Sequence, residues 1–534
     1  MTGLAGTGLL TRLSLRRDRI MLAVWVYAFI ATAYASVAGT KGLYATLASR
    51  EAFAAGAGAN RVTIALYGPS ADVATLGGLA TWKMSALGAV AVGVMSILIV
   101  SRHTRGDEDA GRLELVSAGA VGRAAPLATA LSVALIADVL LGLLVAAGLA
   151  VGGLAVADSV GFGLGLAAVG AMFAAVTAVT AQLAGSSRGA TGLAIGVLAL
   201  AYLLRAVGDS ASPGSWLSSL TWASPIGWTQ QVRPFGPHHW WLFAVAVAFT
   251  AAVCAVAFAL ARRRDLGAGL LPERPGPAAA ARTLSSPLAL AWRLQRGPLL
   301  AWAAGFAVYG LVMGALAHGI DALAGGSQAV HEMFTKLGGP GGVETTFLSA
   351  MLAIMGLIAA AYAVMAAQRL RTEETGQRAE PVLAGAVGRT RWAVSHLAFA
   401  ILGPALLMIL TGLGMGITYG AAVGGPGLQV PRLIGSALAQ LPAIWVLAGL
   451  TAALFGLAPR LTAAAWGIFG VFLLLSEFGP LVNLSHWVMD ISPFAQAPRL
   501  PGAALTLTPL AWLTAAALAF TAAGLAGLRH RDIG

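Results

Sequence analysis

The sequence predicts an all-α, polytopic membrane protein of about twelve transmembrane helices in two fused six-helix halves. Three observations carry this: the composition, the length of the apolar runs and an internal duplication. Of 534 residues, 58% are hydrophobic and only 10% are charged, against about a quarter charged in a soluble domain. The mean hydropathy is +0.81. Such a chain cannot cover a water-facing surface. Its apolar runs of about 20 residues are long enough to cross a bilayer as helices. They are continuous rather than alternating, which selects helices over a closed barrel.

The elements follow in order. Residues 1–19 set Leu9, Leu10 and Leu13 among Arg12, Arg16, Arg17 and Arg19, the pattern of a short helix lying on a membrane surface. The first span covers about 20–38 and has no small-residue cleavage site, so it is read as retained. Further spans are expected at about 83–101, 125–151, 161–184, 190–207 and 239–261. Residues 1–267 make the first half. Residues 268–297 form a linker with Pro272, Pro275 and Pro277, ending in a second interfacial helix marked by Leu288, Ala291, Trp292 and Gln295. Residues 298–534 make the second half, with spans at about 298–317, 348–367, 392–420, 432–456, 461–480 and 506–528.

The duplication is most visible in two charged segments. Residues 105–123 read RGDEDAGRLELVSAGAVGR, and residues 371–389 read RTEETGQRAEPVLAGAVGR. Arg105 matches Arg371, Glu108 matches Glu374, Arg112 matches Arg378 and Glu114 matches Glu380. Leu183-Ala184 is answered by Leu457-Ala458, and Ser224-Pro225 by Ser492-Pro493. Arg262-x-Arg264-Asp265-Leu266-Gly267 is answered by Arg529-x-Arg531-Asp532-Ile533-Gly534. The copies also differ. Leu115 becomes Pro381 and Gly111 becomes Gln377, so the second segment is expected to break sooner.

Charge sets the orientation. Of the 33 basic residues, roughly 24 fall in the termini, the two charged segments, the linker and two short loops, all on one side of a twelve-span topology. That side is expected to be cytoplasmic, with both termini there. The same distribution accounts for the net charge of +12 without nucleic acid. Six spans per half, each starting inside, make the halves parallel repeats, with a pathway expected between them.

Enzyme classes find no support. The lysines are Lys41, Lys83 and Lys336, and none closes a G-x-x-x-x-G-K loop. His331-Glu332 has no second histidine four residues on, and no G-x-S-x-G elbow or acidic metal cluster occurs. The single cysteine, Cys254, forms no intrachain disulfide or thiolate metal site.

A six-span unit with a basic lead-in, a large first external loop, a charged segment between spans two and three, and a Ser-Pro stretch before the last span resembles the permease of ABC-2 type exporters. The doubled R-x-x-E-x-x-x-R-x-E-x-V-x-AGAVGR-like pattern in a chain of this length resembles the fused permeases of actinobacterial tetronasin and polyketide-antibiotic exporters. The resemblance spans essentially the whole chain. It implies a bacterial inner (plasma) membrane protein extruding hydrophobic or amphipathic small molecules. It also implies a separate ABC ATPase, in two copies, that carries the ATP and Mg²⁺ and docks on the charged segments. No cofactor is implied in this chain.

On that basis Arg105, Glu108, Arg112, Glu114, Arg371, Glu374, Arg378 and Glu380 are the expected ATPase-coupling residues. Charge pairs there could orient a soluble partner. On one helix Glu108 and Arg112 would equally pair with each other. Arg205 and Glu477 lie near the ends of equivalent spans and form a candidate outer gate, or else reach separately to headgroups. Asp138 lies deep in the third span. Ionisable groups there face a bundle interior or cavity; as a proton carrier it would serve the alternative of a proton-coupled multidrug transporter, and as a neutral, hydrogen-bonded carboxyl it would only pack.

Overall fold

The structure is a computed structural model that describes residues 3–59, 61–69, 72–212, 214–265, 267–271, 278–318, 342–478 and 485–531. The chain divides into two compact units, Met1–Gly276 and Pro277–Gly534. Among the described residues there is no strand, and eleven helices are long and apolar enough to cross a membrane.

In the first unit these are α1 (Thr7–Leu43), α4 (Leu76–Asp109), α6 (Ala125–Val151), α7 (Val156–Leu183), α8 (Ser187–Ser210) and α10 (Trp241–Arg263). Shorter helices fill the connections: α2 (Leu47–Ala59), α3 (Arg61–Tyr67), α5 (Arg112–Ser117) and α9 (Pro225–Gln231). In the second unit the long helices are α11 (Pro287–Ala317), α12 (Val343–Thr375), α14 (Arg389–Val423), α15 (Pro426–Leu457) and α19 (Leu507–His530). Between them lie α13 (Ala379–Leu383), α16 (Ala464–Phe478), α17 (His486–Met489) and α18 (Pro493–Gln496). The short apolar α16 stands where the eleventh span is expected.

Two expectations about the lead-ins are corrected. The surface helices do not stop before the first span of each half. α1 runs unbroken for 37 residues, and α11 continues through Pro298 for 31. In α1 no glycine or proline separates lead-in from span; in α11 Gly297-Pro298 stands at the junction, and the helix continues through both. The segment 39–82 between the first two expected spans holds the end of α1, α2, α3 and the start of α4. Most of the loop 318–347 lies outside the described residues.

The first unit is organised around α4, α6 and α7, whose buried faces carry Val92, Met95, Ile99, Val133, Leu141, Met172 and Phe173. Small residues let the helix backbones approach, as in membrane bundles generally. A Cβ on Gly142 of α6 would sit 2.4 Å from the Gly163 carbonyl oxygen of α7, so no larger residue fits there without separating the pair. In the second unit α11 lies along α14, and α15 along α19.

Candidate functional site: the charged elbows

Each charged segment is an elbow between two long helices. In the first unit α4 ends in a π turn, Arg102–Gly106, and the chain then breaks at Gly111, whose φ of 67° is left-handed. Glycine adopts that backbone without a Cβ clash. The break puts Glu108 and Arg112 on different helices, so the pairing expected between them does not form. Arg112 Nε instead meets Asp107 Oδ1 at 3.0 Å, where Arg17 of α1 also binds at 2.8 Å.

Glu108 turns inward. Its Oε2 accepts from Arg105 Nη1 at 2.7 Å and from Arg264 Nη1 at 2.9 Å, and its Oε1 accepts from Arg264 Nη2. Arg105 Nε donates to the Ala181 carbonyl at 2.6 Å, and Nη2 to that of Ala268 at 2.8 Å. Ala181 lies in the last turn of α7, where carbonyls have no helical partner. Arg123, at the far end of the elbow, donates to the Arg264 carbonyl at 2.9 Å. One carboxylate, with a side chain only 6% exposed, thus gathers the ends of α4, α7 and α10 and the approach to α6.

The second unit repeats this with the same residues. Glu374 accepts from Arg371 at 3.2 Å and from Arg531 at 2.6 Å, and Arg389 donates to the Arg531 carbonyl at 2.7 Å. Arg378 Nε donates to Glu373 at 2.9 Å, as Arg112 does to Asp107. The copies differ in one respect. The carbonyl equivalent to Ala181 is that of Phe455, and it is served by Arg531 at 2.8 Å rather than by Arg371. Arg105 sits in a π turn and is 1% exposed; Arg371 sits on regular helix and is 33% exposed.

Pro381 does not break the second elbow sooner. The turn falls at Gln377, the equivalent of Gly111, which takes the left-handed φ of 55°. α13 starts one residue later than α5 and ends at the equivalent position. Pro381 lies in its first turn, where a missing N–H costs nothing.

Of the eight expected coupling residues, Arg105, Glu108, Arg371 and Glu374 are therefore drawn into internal clamps. Arg112, Glu114 and Glu380 keep exposed side chains on the elbow helices, and Arg378 keeps one just before α13. Beside them Leu115 is 79% exposed. Three elements of the elbows escaped the sequence reading: the grip of Arg264 and Arg531, the acids Asp107 and Glu373, and the buried His103, whose Nε2 lies 2.6 Å from Asp18 of α1. The first two had a signal. Both arginines lie in the repeated pattern that closes each half, and the two acids occupy matching positions.

Comparison with known proteins matches this twofold construction. The profile of a family described as "Multidrug efflux system permease Rv1217c, C-terminal domain" fits the chain twice, over residues 10–262 and 284–529. Each match contains one elbow. A curated relative, "Multidrug efflux system permease protein Rv1217c" of Mycobacterium tuberculosis, is 43% identical over 535 residues, spanning 100% of this chain and 96% of the relative. The chain belongs to the Rv1217c efflux-permease family.

The other expected sites of this Rv1217c-family chain lie elsewhere. Arg205 is fully buried within the first unit. Its Nη2 donates to the carbonyls of Ala65 and Leu66 at 2.7 and 3.1 Å, its Nη1 lies 3.5 Å from Asp209, and its guanidinium covers the Tyr202 ring at 4.5 Å. It caps the carbonyl end of α3, a favourable place for a cation. The side chain of Glu477 lies outside the described residues.

Asp138 is enclosed between α4, α6 and α7. Ser96 donates to its Oδ1 at 2.7 Å, and a Cβ on Gly170 would lie 2.2 Å from that oxygen. Asp138→Asn, which keeps shape and the Ser96 bond, is expected to retain wild-type efflux of an ethidium load from cells. Loss of efflux at unchanged protein level would favour the proton-coupled alternative.

Proposed function

We propose that this chain is the membrane permease of an ATP-driven, ABC-2 type exporter that extrudes hydrophobic or amphipathic small molecules. ATP and Mg²⁺ are held by a separate ABC ATPase, two copies of which dock on the two elbows. The protein resides in the bacterial inner membrane with the elbows and both termini on the cytoplasmic side. The single observation that supports this most is the clamp. An exposed helix carrying Arg112, Glu114 and Leu115 is tied through Arg112 to Asp107, beside Glu108, which joins the ends of α4 and α10 and, through Arg105, reaches α7. A push on that helix reaches the spans through short ionic bonds rather than through loose chain. The efflux-permease family membership agrees with the direction of transport.

The exposed face, not the buried clamp, is then the docking surface. Leu115 is an exposed apolar side chain ringed by charges, the apolar centre and polar rim that protein interfaces have. Leu115→Asp is expected to lower co-purification of the ATPase at least tenfold, about 1.4 kcal/mol, and to abolish substrate stimulation of its hydrolysis. The melting temperature of the permease is expected to stay within a degree or two of wild type. Unchanged co-purification and stimulation would remove the elbow as the docking site.

A further inference from the structure

Behind the first elbow a buried histidine stands between two helices. His103 lies in the π turn Arg102–Gly106, past the span expected to end at residue 101. Its ring nitrogens face two carboxylates from different helices. Nε2 lies 2.6 Å from Oδ2 of Asp18, which is buried on α1, and Nδ1 lies 3.7 Å from Oδ2 of Asp107, at the end of α4. The other oxygen of Asp18 stands 3.2 Å from Arg102 Nη1. The other oxygen of Asp107 holds Arg17 of α1 at 2.8 Å and Arg112 of α5 at 3.0 Å. Asp107 is thus the junction of α1, α4 and α5, and His103 backs it.

The remaining charges nearby are otherwise engaged. Helices α6, α7 and α8 pack against this turn. Their acids are Asp138, Asp158 and Asp209, which meet Ser96, His238 and Arg205 respectively. Arg188 of α8 and Arg16 and Arg19 of α1 have exposed side chains.

A neutral imidazole has one N–H and one lone pair, whereas the imidazolium has two N–H groups. The charged form alone offers a donor to both acids. When the proton leaves, the short contact to Asp18 keeps the N–H, and a lone pair then faces Asp107. Burial by itself opposes the charge, but the bonds to Asp107 and Asp18 outweigh it and raise the imidazole above its ordinary 6.5. The double link is therefore present at pH 6.5 and below, and is lost as the pH climbs through the raised value.

The second half is built without this titration. Arg369 occupies the place of His103, and its Nη2 meets Glu373, the counterpart of Asp107, at 2.7 Å. With Trp25 set on Trp302, the place of Asp18 falls to Gln295. An arginine stays charged at any pH the protein meets.

We propose that His103 is a positioning residue for transport: its proton bridges α1 to Asp107 and so fixes the posture of α5, which makes the first elbow, and not the second, responsive to cytoplasmic pH. Its importance for transport rests on the reading of α5 as the docking helix. The posture itself is measured on the permease alone, so its failure is distinguishable from that of the docking reading, which Leu115→Asp tests.

The test uses the full chain in lipid nanodiscs with Cys254→Ala and a nitroxide label on Leu115→Cys or, separately, on the equivalent Pro381→Cys. Electron paramagnetic resonance spectra are recorded from pH 6 to pH 9. At position 115 the mobile share of the spectrum should about double, with a midpoint above the ordinary imidazole value. At position 381 it should stay constant. His103→Gln, neutral at every pH, should give the high-pH spectrum of position 115 throughout. No transition at 115, the same transition at 381, or a transition that survives in His103→Gln would overturn the proposal. The two labels on a chain that keeps His103 decide the matter even if His103→Gln fails to fold.

Discussion

Glu108→Ala is expected to destabilise the first half by about 3–5 kcal/mol, the usual result of removing one partner from a buried ion pair. Arg105 is the reason. Its side chain is 1% exposed, and without Glu108 it keeps no bonded carboxylate, Asp109 acting on it only at a distance. Arg264 loses its carboxylate at the same time, and the end of α10 is no longer tied to α4. Unfolding of the purified protein in detergent, followed by intrinsic fluorescence, measures the loss. Glu374→Ala should cost clearly less, because Arg371 is 33% exposed and can rehydrate. Equal losses at the two sites would mean that the burial of Arg105 adds little to the cost of losing its partner. Because Glu108→Ala harms the fold, its effect on ATPase coupling cannot be separated from instability; Leu115→Asp is the cleaner probe.

Arg205→Met is the second large effect. It removes the donors from the carbonyl end of α3 and leaves Asp209, 2% exposed, with the Thr221 hydroxyl as its one hydrogen-bond donor among the described residues. A loss of about 3–5 kcal/mol is expected. Adding Asp209→Leu should recover much of it, since removing both charges also removes the penalty for burying either. Melting of the single and double variants provides the cycle; absence of recovery would place the role of Arg205 in its bonds to Ala65 and Leu66. The same geometry bears on the gate. With Arg205 held by its own half, reversing it together with Glu477 is expected not to restore transport. Restored transport in the double reversal would establish the Arg205–Glu477 latch.

Much of the architecture is legible in the sequence because hydrophobic length is a local property. Runs near 20 residues declared the spans, and the repeated AGAVGR declared the two elbows. What stayed hidden depends on distant chain. Glu108 and Arg112 at four-residue spacing look like a helical pair until Gly111 takes a left-handed turn between them. Gln377 gives no such hint, since glutamine rarely adopts that backbone; only its alignment with Gly111 points to it. Arg264 lies 156 residues from Glu108, and the sequence shows both as repeated without showing that they touch. The inward turn of Arg105 depends on a π turn that no composition signal marks.

In the first half a lone oxygen at the tail of α7 is looked after by the elbow's own arginine; in the second, the matching oxygen on α15 is looked after by the arginine that closes the half. The duplicated parts have exchanged duties. An elbow grafted from one half to the other would arrive without the companion its new surroundings require, so elbow and closing segment can be transplanted only as a set.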